Sequence, residues 1–192
     1  MDFLYSIDRS VFLFLNRSVA NPVLDIVMPF LTETDNWHIP ILIIWLSLII
    51  FGGKKGRIVA LLVVVILTLS DQLSSSVVKP LVRRVRPCFV VEGVRLLIEQ
   101  SRSPSFPSSH AANMASMATL FSVKYRRQTA IFVSIGVLVA YSRIYVGVHY
   151  PSDLLGGALL GVVCAVVVLG IERGVRILWQ RRKLSRNNQK EE

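Results

Sequence analysis

A histidine and an aspartate lie four residues apart in the stretch 142–153, between apolar segments of this 192-residue chain. Such a carboxylate can accept from one imidazole nitrogen, which fixes the tautomer and leaves the other nitrogen free to attack or to take a proton. The pair is His149 and Asp153, and Arg143 in the same stretch offers a planar fork of donors that suits phosphate oxygens. A polar loop that caps a helix is the alternative interpretation, and this stretch alone does not decide between them.

Two further stretches carry residue types that bind phosphate. Lys79 and Arg86 lie seven residues apart and share one face if the segment between them is mostly helical. Ser108, Ser109 and His110 lead straight into an apolar segment, so the positive end of a helix and its free backbone N–H groups would point outward there. A serine N-cap would explain Ser108 or Ser109, but it leaves His110 unexplained.

Together the three stretches supply what phosphoryl transfer requires, namely cations for the equatorial oxygens, a nucleophile, and an acid for the leaving oxygen. The cations are Lys79, Arg86 and Arg143, with Ser108 and backbone donors beside them. The chain has three histidines, and two of them fall in these stretches. The sequence therefore predicts a site that transfers a phosphoryl group.

The composition places these stretches in a membrane protein. The chain is 53% hydrophobic with a mean hydropathy of +0.55, and its repeated apolar runs favour an all-α polytopic membrane protein over a soluble domain. Six transmembrane helices in one bundle are predicted, at about 21–32, 39–51, 58–78, 111–123, 130–148 and 153–171. They form the domain 21–172, which follows an interfacial amphipathic helix in 1–20 and precedes a basic cytoplasmic tail in 173–192.

Basic residues orient the predicted spans. Three basic tracts, at 54–57, 124–127 and 173–190, fall on one side, which the positive-inside rule makes cytoplasmic. The net charge of +10 follows this topology, so no nucleic acid partner is expected. We expect a bacterial cytoplasmic (inner) membrane, with the three motif stretches facing the periplasm or the outside. Cations on the non-cytoplasmic side run against this rule, and an anionic ligand would explain them. For Arg83, Arg84, Arg95 and Arg102 we expect that ligand to be a lipid headgroup.

The three stretches resemble, in order and internal spacing, the three signatures of the type 2 phosphatidic acid phosphatase superfamily. That superfamily contains membrane lipid phosphatases and is related to the vanadium haloperoxidases. The matching residues are Lys79 with Arg86 and Pro87, then Pro107 to His110, then Ser142 and Arg143 with His149 and Asp153. The match covers roughly residues 58–171, and three motifs in order are far more specific than one. Ser109 departs from the family pattern, which usually has glycine there.

The resemblance implies a role for each residue. His149 would be the nucleophile that forms a phosphohistidine, with Asp153 on its other ring nitrogen, and His110 would protonate the leaving group and then activate water. The phosphoryl oxygens would be held by Lys79, Arg86, Ser108 and Arg143, together with the amides of Ser109 and His110. No cofactor or metal is implied, and the scarcity of acidic residues near these stretches agrees, because a two-metal phosphatase needs several carboxylate or histidine ligands.

The identity of the substrate rests on family analogy alone. Undecaprenyl diphosphate is the first choice, because compact bacterial members of the family often hydrolyse it. Phosphatidylglycerol phosphate, phosphatidic acid and the lipid A phosphates remain alternatives, because each presents the same terminal phosphoryl group. Transfer of a phospho group between lipids stays open, and so does a non-catalytic binder or transporter of anionic lipids, although the histidines argue against the latter. The expected partners are the lipid substrate and the bilayer, and the oligomeric state is left open.

Overall fold

The computed structural model of the chain describes residues 2–100 and 102–191, so Met1 of the predicted interfacial segment and Glu192 of the predicted tail lie outside the described residues. Within these ranges the regular structure is helical, with no strand. This part of the chain forms the helices α1 (Asp2–Leu13), α2 (Pro22–Thr32), α3 (His38–Ile50), α4 (Gly53–Gln72), α5 (Lys79–Val82), α6 (Pro87–Val90), α7 (Ser109–Lys124), α8 (Thr129–Tyr145) and α9 (Pro151–Glu191). Short π-helical turns extend α1 over Phe14–Ser18 and join α4 to α5 over Leu73–Val78.

Local sequence signals set where three of the helices begin. The side chain of Asn21 accepts a backbone N–H from the first turn of α2 at 3.0 Å, and Pro22 occupies the first position of that helix. Ser108 caps α7 in the same way, and Pro151 opens α9. Two of the three predicted site stretches therefore lie where α7 and α9 begin.

Helix α7 is the centre of the bundle, because it packs against α4, α8 and α9. Two glycines let α9 approach it closely. A Cβ added to Gly157 would lie 2.4 Å from the Ser108 carbonyl oxygen, and one added to Gly161 would lie 2.0 Å from the Ala112 carbonyl oxygen. Further along, α4, α7 and α9 share a buried cluster of Val59, Leu62, Ile66, Leu120, Ala165 and Val168. The beginnings of α7 and α9 are thus held side by side at one end of the bundle.

Helix α1 packs its inner face against the end of the bundle where α9 begins. Phe12 is fully buried in this contact. The cluster around it consists of Val91, Ala111, Ile144, Tyr150 and Leu154. Elsewhere on its surface α1 exposes the apolar side chains of Phe3, Leu4 and Val11. Its location at the membrane interface stays a prediction.

Three helical stretches are long and apolar enough to cross a membrane in the part of the chain that the structure describes: Gly53–Val90, which runs from α4 to α6, Arg126–Tyr145 and Pro151–Lys183. A fourth is added if Phe3–Ser18 and Pro22–Thr32, which meet at 117°, form one broken span, while Thr34–Ile50 is apolar but shorter. The all-helical prediction is confirmed, and these helices have the length and apolar composition that membrane spans require. The six-span count, which needs α3 and the 16-residue α7 to cross as well, stays a prediction.

Helix α9 differs most from its predicted bounds. The predicted span 153–171 and most of the predicted tail form one helix of 41 residues. The side chains of two tail cations, Arg186 and Lys190, lie outside the described residues. A change from apolar to basic residues marks a membrane surface but does not end a helix, because arginine, lysine and glutamate are good helix formers. Hydropathy therefore predicts the end of the span and not the end of the helix.

Candidate active site

His149 lies in the short turn between α8 and α9, and Asp153 lies in the first turn of α9. Both are buried, since His149 is 2% exposed and Asp153 is 0% exposed. Asp153 Oδ2 accepts the Tyr150 N–H at 2.9 Å and lies 3.4 Å from His149 Nδ1. That separation is an ion-pair distance, longer than a hydrogen bond of good geometry. The carboxylate is nevertheless the acceptor that faces Nδ1.

The other ring nitrogen of His149 faces Arg86. Arg86 Nη1 lies 3.0 Å from His149 Nε2 and also donates to the Val148 carbonyl oxygen at 3.1 Å. Because a guanidinium can only donate, Nε2 must carry the lone pair, and the proton of the neutral ring lies on Nδ1, toward Asp153. Ser103 accepts from Arg86 Nε and Nη2 at 2.8 and 3.0 Å, which holds the guanidinium in place. The two neighbours together favour the tautomer in which Nε2 can act as a nucleophile.

Burial controls the charge of His149. Removal of the ring from water disfavours the imidazolium form and lowers the pKa of His149 to about 4. Asp153 acts in the opposite direction, and the cations Arg86 and Arg143 add to the lowering. The ring is therefore neutral at pH 7, which is the state that a nucleophile requires.

The other two predicted cations converge on the same place. Arg143, near the end of α8, is 6% exposed and donates through Nη1 to Thr32 Oγ1 at 2.6 Å. Its Nε is buried without an acceptor among the described residues, and an N–H group left in that state is costly unless a ligand supplies the acceptor. Lys79, at the start of α5, is partly buried and lies within electrostatic reach of Arg86 and Arg143.

Ser108 and Ser109 place the beginning of α7 beside Asp153. The Ser108 N–H donates to the Asp153 carbonyl oxygen at 3.0 Å, which ties the second motif stretch to the third. The Ser109 hydroxyl pairs with the hydroxyl of Ser74, a fully buried residue, at 2.9 Å. The side chain that departs from the family pattern is thus accommodated by a partner in the turn after α4. The amides of Ser109 and His110 precede the first hydrogen bonds of α7 and are the free donors of its N-terminus.

His110 reaches the site from the first turn of α7. Its Nε2 lies 3.4 Å from Thr34 Oγ1, and its ring interacts electrostatically with Arg143 and His149. Thr32 and Thr34, which the sequence did not suggest, bring the connection between α2 and α3 to the edge of the site. The structure therefore places all eight predicted site residues at one end of the bundle.

Arg84 is the functional neighbour that the sequence interpretation missed. Predicted to face lipid headgroups, it instead donates to Asp153 Oδ1 at 2.7 Å and to Asp8 Oδ2 at 2.5 Å. Arg95 likewise pairs with Asp25 at 2.6 Å. The headgroup interpretation is wrong for these two arginines. The partners of Arg84 lie 69 and 76 positions away, and no local pattern indicates such contacts.

The family model for the PAP2 superfamily matches residues 58–176, which include all eight predicted site residues. The chain belongs to the PAP2 superfamily. The resemblance carried by the three motifs is thus confirmed. Asp8, Thr32 and Thr34 lie outside the stretch that the family shares with this PAP2 protein.

This PAP2 protein is similar to known phosphatases over most of its length, well beyond the three motifs. It is 30% identical to the Lipid A 4'-phosphatase of Bacteroides thetaiotaomicron, over 84% of this chain and 75% of that protein. It is 30% identical to the undecaprenyl-diphosphatase BcrC of Bacillus subtilis, over 74% of this chain and 72% of that protein. The crystal structure of Aquifex aeolicus LpxE matches with a TM-score of 0.73 at 27% identity, covering 85% of this chain and 95% of that one. This PAP2 protein is a hydrolase of the lipid phosphatase class.

Proposed function

We propose that this PAP2 protein hydrolyses a lipid phosphate or diphosphate at the non-cytoplasmic face of a bacterial cytoplasmic membrane, through a phosphohistidine on His149. The observation that carries the proposal is the neutral, buried imidazole of His149. Its Nε2 faces Arg86, with Arg143 within electrostatic reach of the ring, while its Nδ1 faces Asp153. The nucleophilic nitrogen, Nε2, thereby lies next to the cations that would bind the phosphoryl oxygens.

In the first step the phosphoryl oxygens bind Lys79, Arg86 and Arg143 and the free amides of α7. The phosphate draws the Arg86 donor away from His149 Nε2, which releases the lone pair for in-line attack. Burial and the neighbouring Arg143 lower the pKa of His110 to about 3 in the empty site, and the negative charge of the bound phosphate opposes this, so His110 takes up a proton when the substrate binds. The N–P bond forms, the P–O bond to the leaving group breaks, and His110 gives that proton to the leaving oxygen.

In the second step His110, now neutral, takes a proton from a water molecule that attacks the phosphorus. The N–P bond breaks, its electron pair returns to His149 Nε2, and inorganic phosphate leaves. Asp153 stabilises the proton on Nδ1 through both steps, because the phosphorylated ring carries positive charge. The sequence of steps uses side chains and water and requires no metal or cofactor.

Undecaprenyl diphosphate is our first candidate substrate, and the similarity to an undecaprenyl-diphosphatase supports it. A lipid A phosphate is the second candidate, supported by a relative that matches a larger share of the chain, 84%. Phosphatidylglycerol phosphate and phosphatidic acid stay in the panel, because the three cations bind a terminal phosphoryl group whatever lipid carries it.

The test is phosphate release by the purified protein in detergent with excess chelator, from each of these four lipids. His149→Ala is expected to abolish release, because it removes the nucleophile. His38→Ala is the matched control, since the His38 side chain is 66% exposed, and this variant is expected to keep full activity.

Release that resists chelator and disappears only in His149→Ala supports the mechanism, and the fastest lipid identifies the substrate class. Release that needs a divalent metal, or that survives in His149→Ala, contradicts it. A wild-type protein that binds these lipids without releasing phosphate would be the non-catalytic binder.

A further inference from the structure

Asp8 of α1 and Arg84 form a chain of ion pairs that ends on Asp153. Arg84 bridges the two carboxylates through Nη2 and Nη1, at 2.5 and 2.7 Å. Ser152 joins the same cluster, because its N–H and Oγ donate to Asp8 at 2.9 and 2.5 Å while its hydroxyl accepts from Arg84 at 2.6 Å. The side chains are largely removed from water, with exposures of 10% for Asp8, 20% for Arg84 and 0% for Asp153. With two carboxylates and one guanidinium the cluster carries one net negative charge, and each ionised side chain in it has a partner of opposite charge.

The chain of charges acts on the carboxylate that faces the nucleophile. Asp153 binds Arg84 through Oδ1 and faces His149 through Oδ2. An unbalanced cation on Oδ1 would weaken the attraction of Oδ2 for the imidazole proton, and the carboxylate of Asp8 balances that cation. Asp8 also lies at the N-terminus of α9, where the helix dipole favours an anion.

We propose that Asp8 and Arg84 are positioning residues for Asp153, through which the N-terminal helix completes the active site. The inference rests on the proposed function, because it assigns a role to the partner of the proposed nucleophile. Asp8 lies outside residues 58–176, the stretch that the family model matches.

A pair of variants that changes the charge around Asp153 and then restores it separates an electrostatic role of Asp8 from a structural one. Asp8→Asn keeps the shape of the side chain but leaves Arg84 balanced by Asp153 alone, so we expect kcat to fall about 10- to 100-fold with KM unchanged. The double variant Asp8→Asn with Arg84→Gln removes both charges and is expected to recover kcat relative to Asp8→Asn. A purely structural role would instead make the double variant the worse one.

The pH profile provides a second measurement, independent of how well Asp8→Asn folds. The charged and titratable groups that face His149 are Arg86, His110, Arg143 and Asp153. Arg84→Gln takes a cation from Asp153, so the carboxylate attracts the His149 proton more strongly. The acidic limb of kcat/KM should therefore move to higher pH.

The matched control is Arg9→Gln. Arg9 follows Asp8 in α1 and its side chain is exposed, so we expect this variant to have wild-type kinetics. Three results would each overturn the inference. Asp8→Asn could show the same kcat as Arg9→Gln, the double variant could have a lower kcat than either single variant, or the acidic limb of kcat/KM could stay where it is in Arg84→Gln. These results are distinguishable from failure of the proposed function, which would show as an inactive wild type or an active His149→Ala.

A groove lies at the other end of the bundle, between the beginning of α4, the end of α7 and the middle of α9. Its volume is about 1210 Å³, above the ~300–1,000 Å³ of ordinary small-molecule pockets. Its wall is apolar and contains Ile58, Val59, Val123, Val166 and Leu169. Its rim is basic and contains Lys54, Lys55, Arg173 and Arg176.

The charge of this groove is not balanced within the protein. Glu172 is the one carboxylate that lines it among the described residues, and both Lys124, at 3.0 Å, and Arg176 of the rim already bind that carboxylate. Lys54 and Lys55 lie over aromatic rings, which carry no negative charge. Arg173 has no acidic partner in the described part of the chain. A basic rim above an apolar wall is complementary to a phosphate headgroup with an acyl chain beneath it.

We infer that this groove binds an anionic phospholipid of the leaflet opposite the active site. Native mass spectrometry of the purified protein with phosphatidylglycerol or phosphatidylcholine tests this. We expect the wild type to retain phosphatidylglycerol over phosphatidylcholine by at least about tenfold. We expect the triple variant Lys54→Gln, Lys55→Gln, Arg173→Gln to lose that preference.

A control triple variant, Arg126→Gln, Arg127→Gln, Arg181→Gln, removes the same charge from residues that do not line the groove and should keep the preference. Equal loss in both triple variants would show diffuse attraction and overturn the inference. Equal retention of both lipids, or displacement of phosphatidylglycerol by glycerol phosphate, would also overturn it, the latter by showing a site for free anions.

Discussion

His149 and Asp153 lie four residues apart, yet their surroundings leave one neutral and the other ionised. The carboxylate of Asp153 accepts from the Tyr150 N–H and from Arg84, and these donors offset the cost of burying an anion. The imidazole of His149 receives a donor only at Nε2, and burial lowers its pKa to about 4, so it stays neutral at pH 7. An anion beside a neutral ring is the arrangement that orients a histidine nucleophile.

Asp153→Asn tests this arrangement at the residue scale. The amide keeps the shape of the side chain but removes the anion that stabilises the proton on His149 Nδ1, so the wrong tautomer becomes accessible. We expect kcat to fall by roughly 10³- to 10⁴-fold with little change in KM, measured by steady-state phosphate release. Asp35→Asn is the control, because the Asp35 side chain is 85% exposed. A kcat close to the wild-type value in Asp153→Asn would contradict the assigned role.

At the scale of elements, the contact between α7 and α9 sets the distance between the second and third motif stretches. The Ser108 N–H can reach the Asp153 carbonyl oxygen at 3.0 Å only because the backbones of the two helices nearly touch. Gly157 and Gly161 permit that approach, since neither has a side chain to fill the gap. The precision of the site therefore depends on two residues that carry no functional group.

Gly161→Ala is expected to separate these helices. The added Cβ would lie 2.0 Å from the Ala112 carbonyl oxygen, a backbone atom that cannot move alone. We expect destabilisation of about 1–3 kcal/mol and reduced phosphatase activity. Gly170→Ala, in the same helix with nothing within 4 Å of the new Cβ, should be neutral or stabilising by up to ~1 kcal/mol. Thermal unfolding and activity in one detergent compare the two, and equal behaviour would refute the close-packing explanation.

At the scale of the whole molecule, the candidate site and the basic tracts lie at opposite ends of α7 and α9. Lys54, Lys124 and Arg173 come from three separate tracts and meet around one groove at the far end. The positive-inside rule then predicts that the groove lies on the cytoplasmic side of the membrane and the candidate site on the opposite side. This orientation is a proposal that labelling can test.

Single cysteines in a Cys88→Ser, Cys164→Ser background would report the orientation. Arg102→Cys lies on the exposed loop before α7, near the site, and Lys54→Cys lies at the start of α4. We expect a membrane-impermeant maleimide to label the first variant in intact cells and the second only after lysis. The reverse pattern would place the site in the cytoplasm.

Much of the fold and site could be predicted because the relevant signals are local. Apolar runs predict helices wherever backbone groups must be satisfied in lipid, and a serine or proline predicts where α7 and α9 begin. The helical spacing expected between Lys79 and Arg86 is wrong, because α5 ends at Val82 and Arg83 has a positive φ of 51°. His149 likewise precedes the first residue of α9, so the residue types and their order along the chain, and not helical geometry, carried these predictions. Such signals are readable from a single sequence because each depends on neighbouring residues.

The tertiary structure alone decided which distant residues support the site. Asp8 meets Ser152 across 144 positions, and Thr32 meets Arg143 across 111. These contacts arise from how helices pack, which depends on the summed shape of many side chains and leaves no periodic trace in the chain. The sequence by itself determined the helical class and the family, and it predicted the eight site residues that the structure brings to one end of the bundle. Packing decided that the N-terminal helix is linked to Asp153, because only a folded bundle brings Asp8, Arg84 and Asp153 within hydrogen-bonding distance.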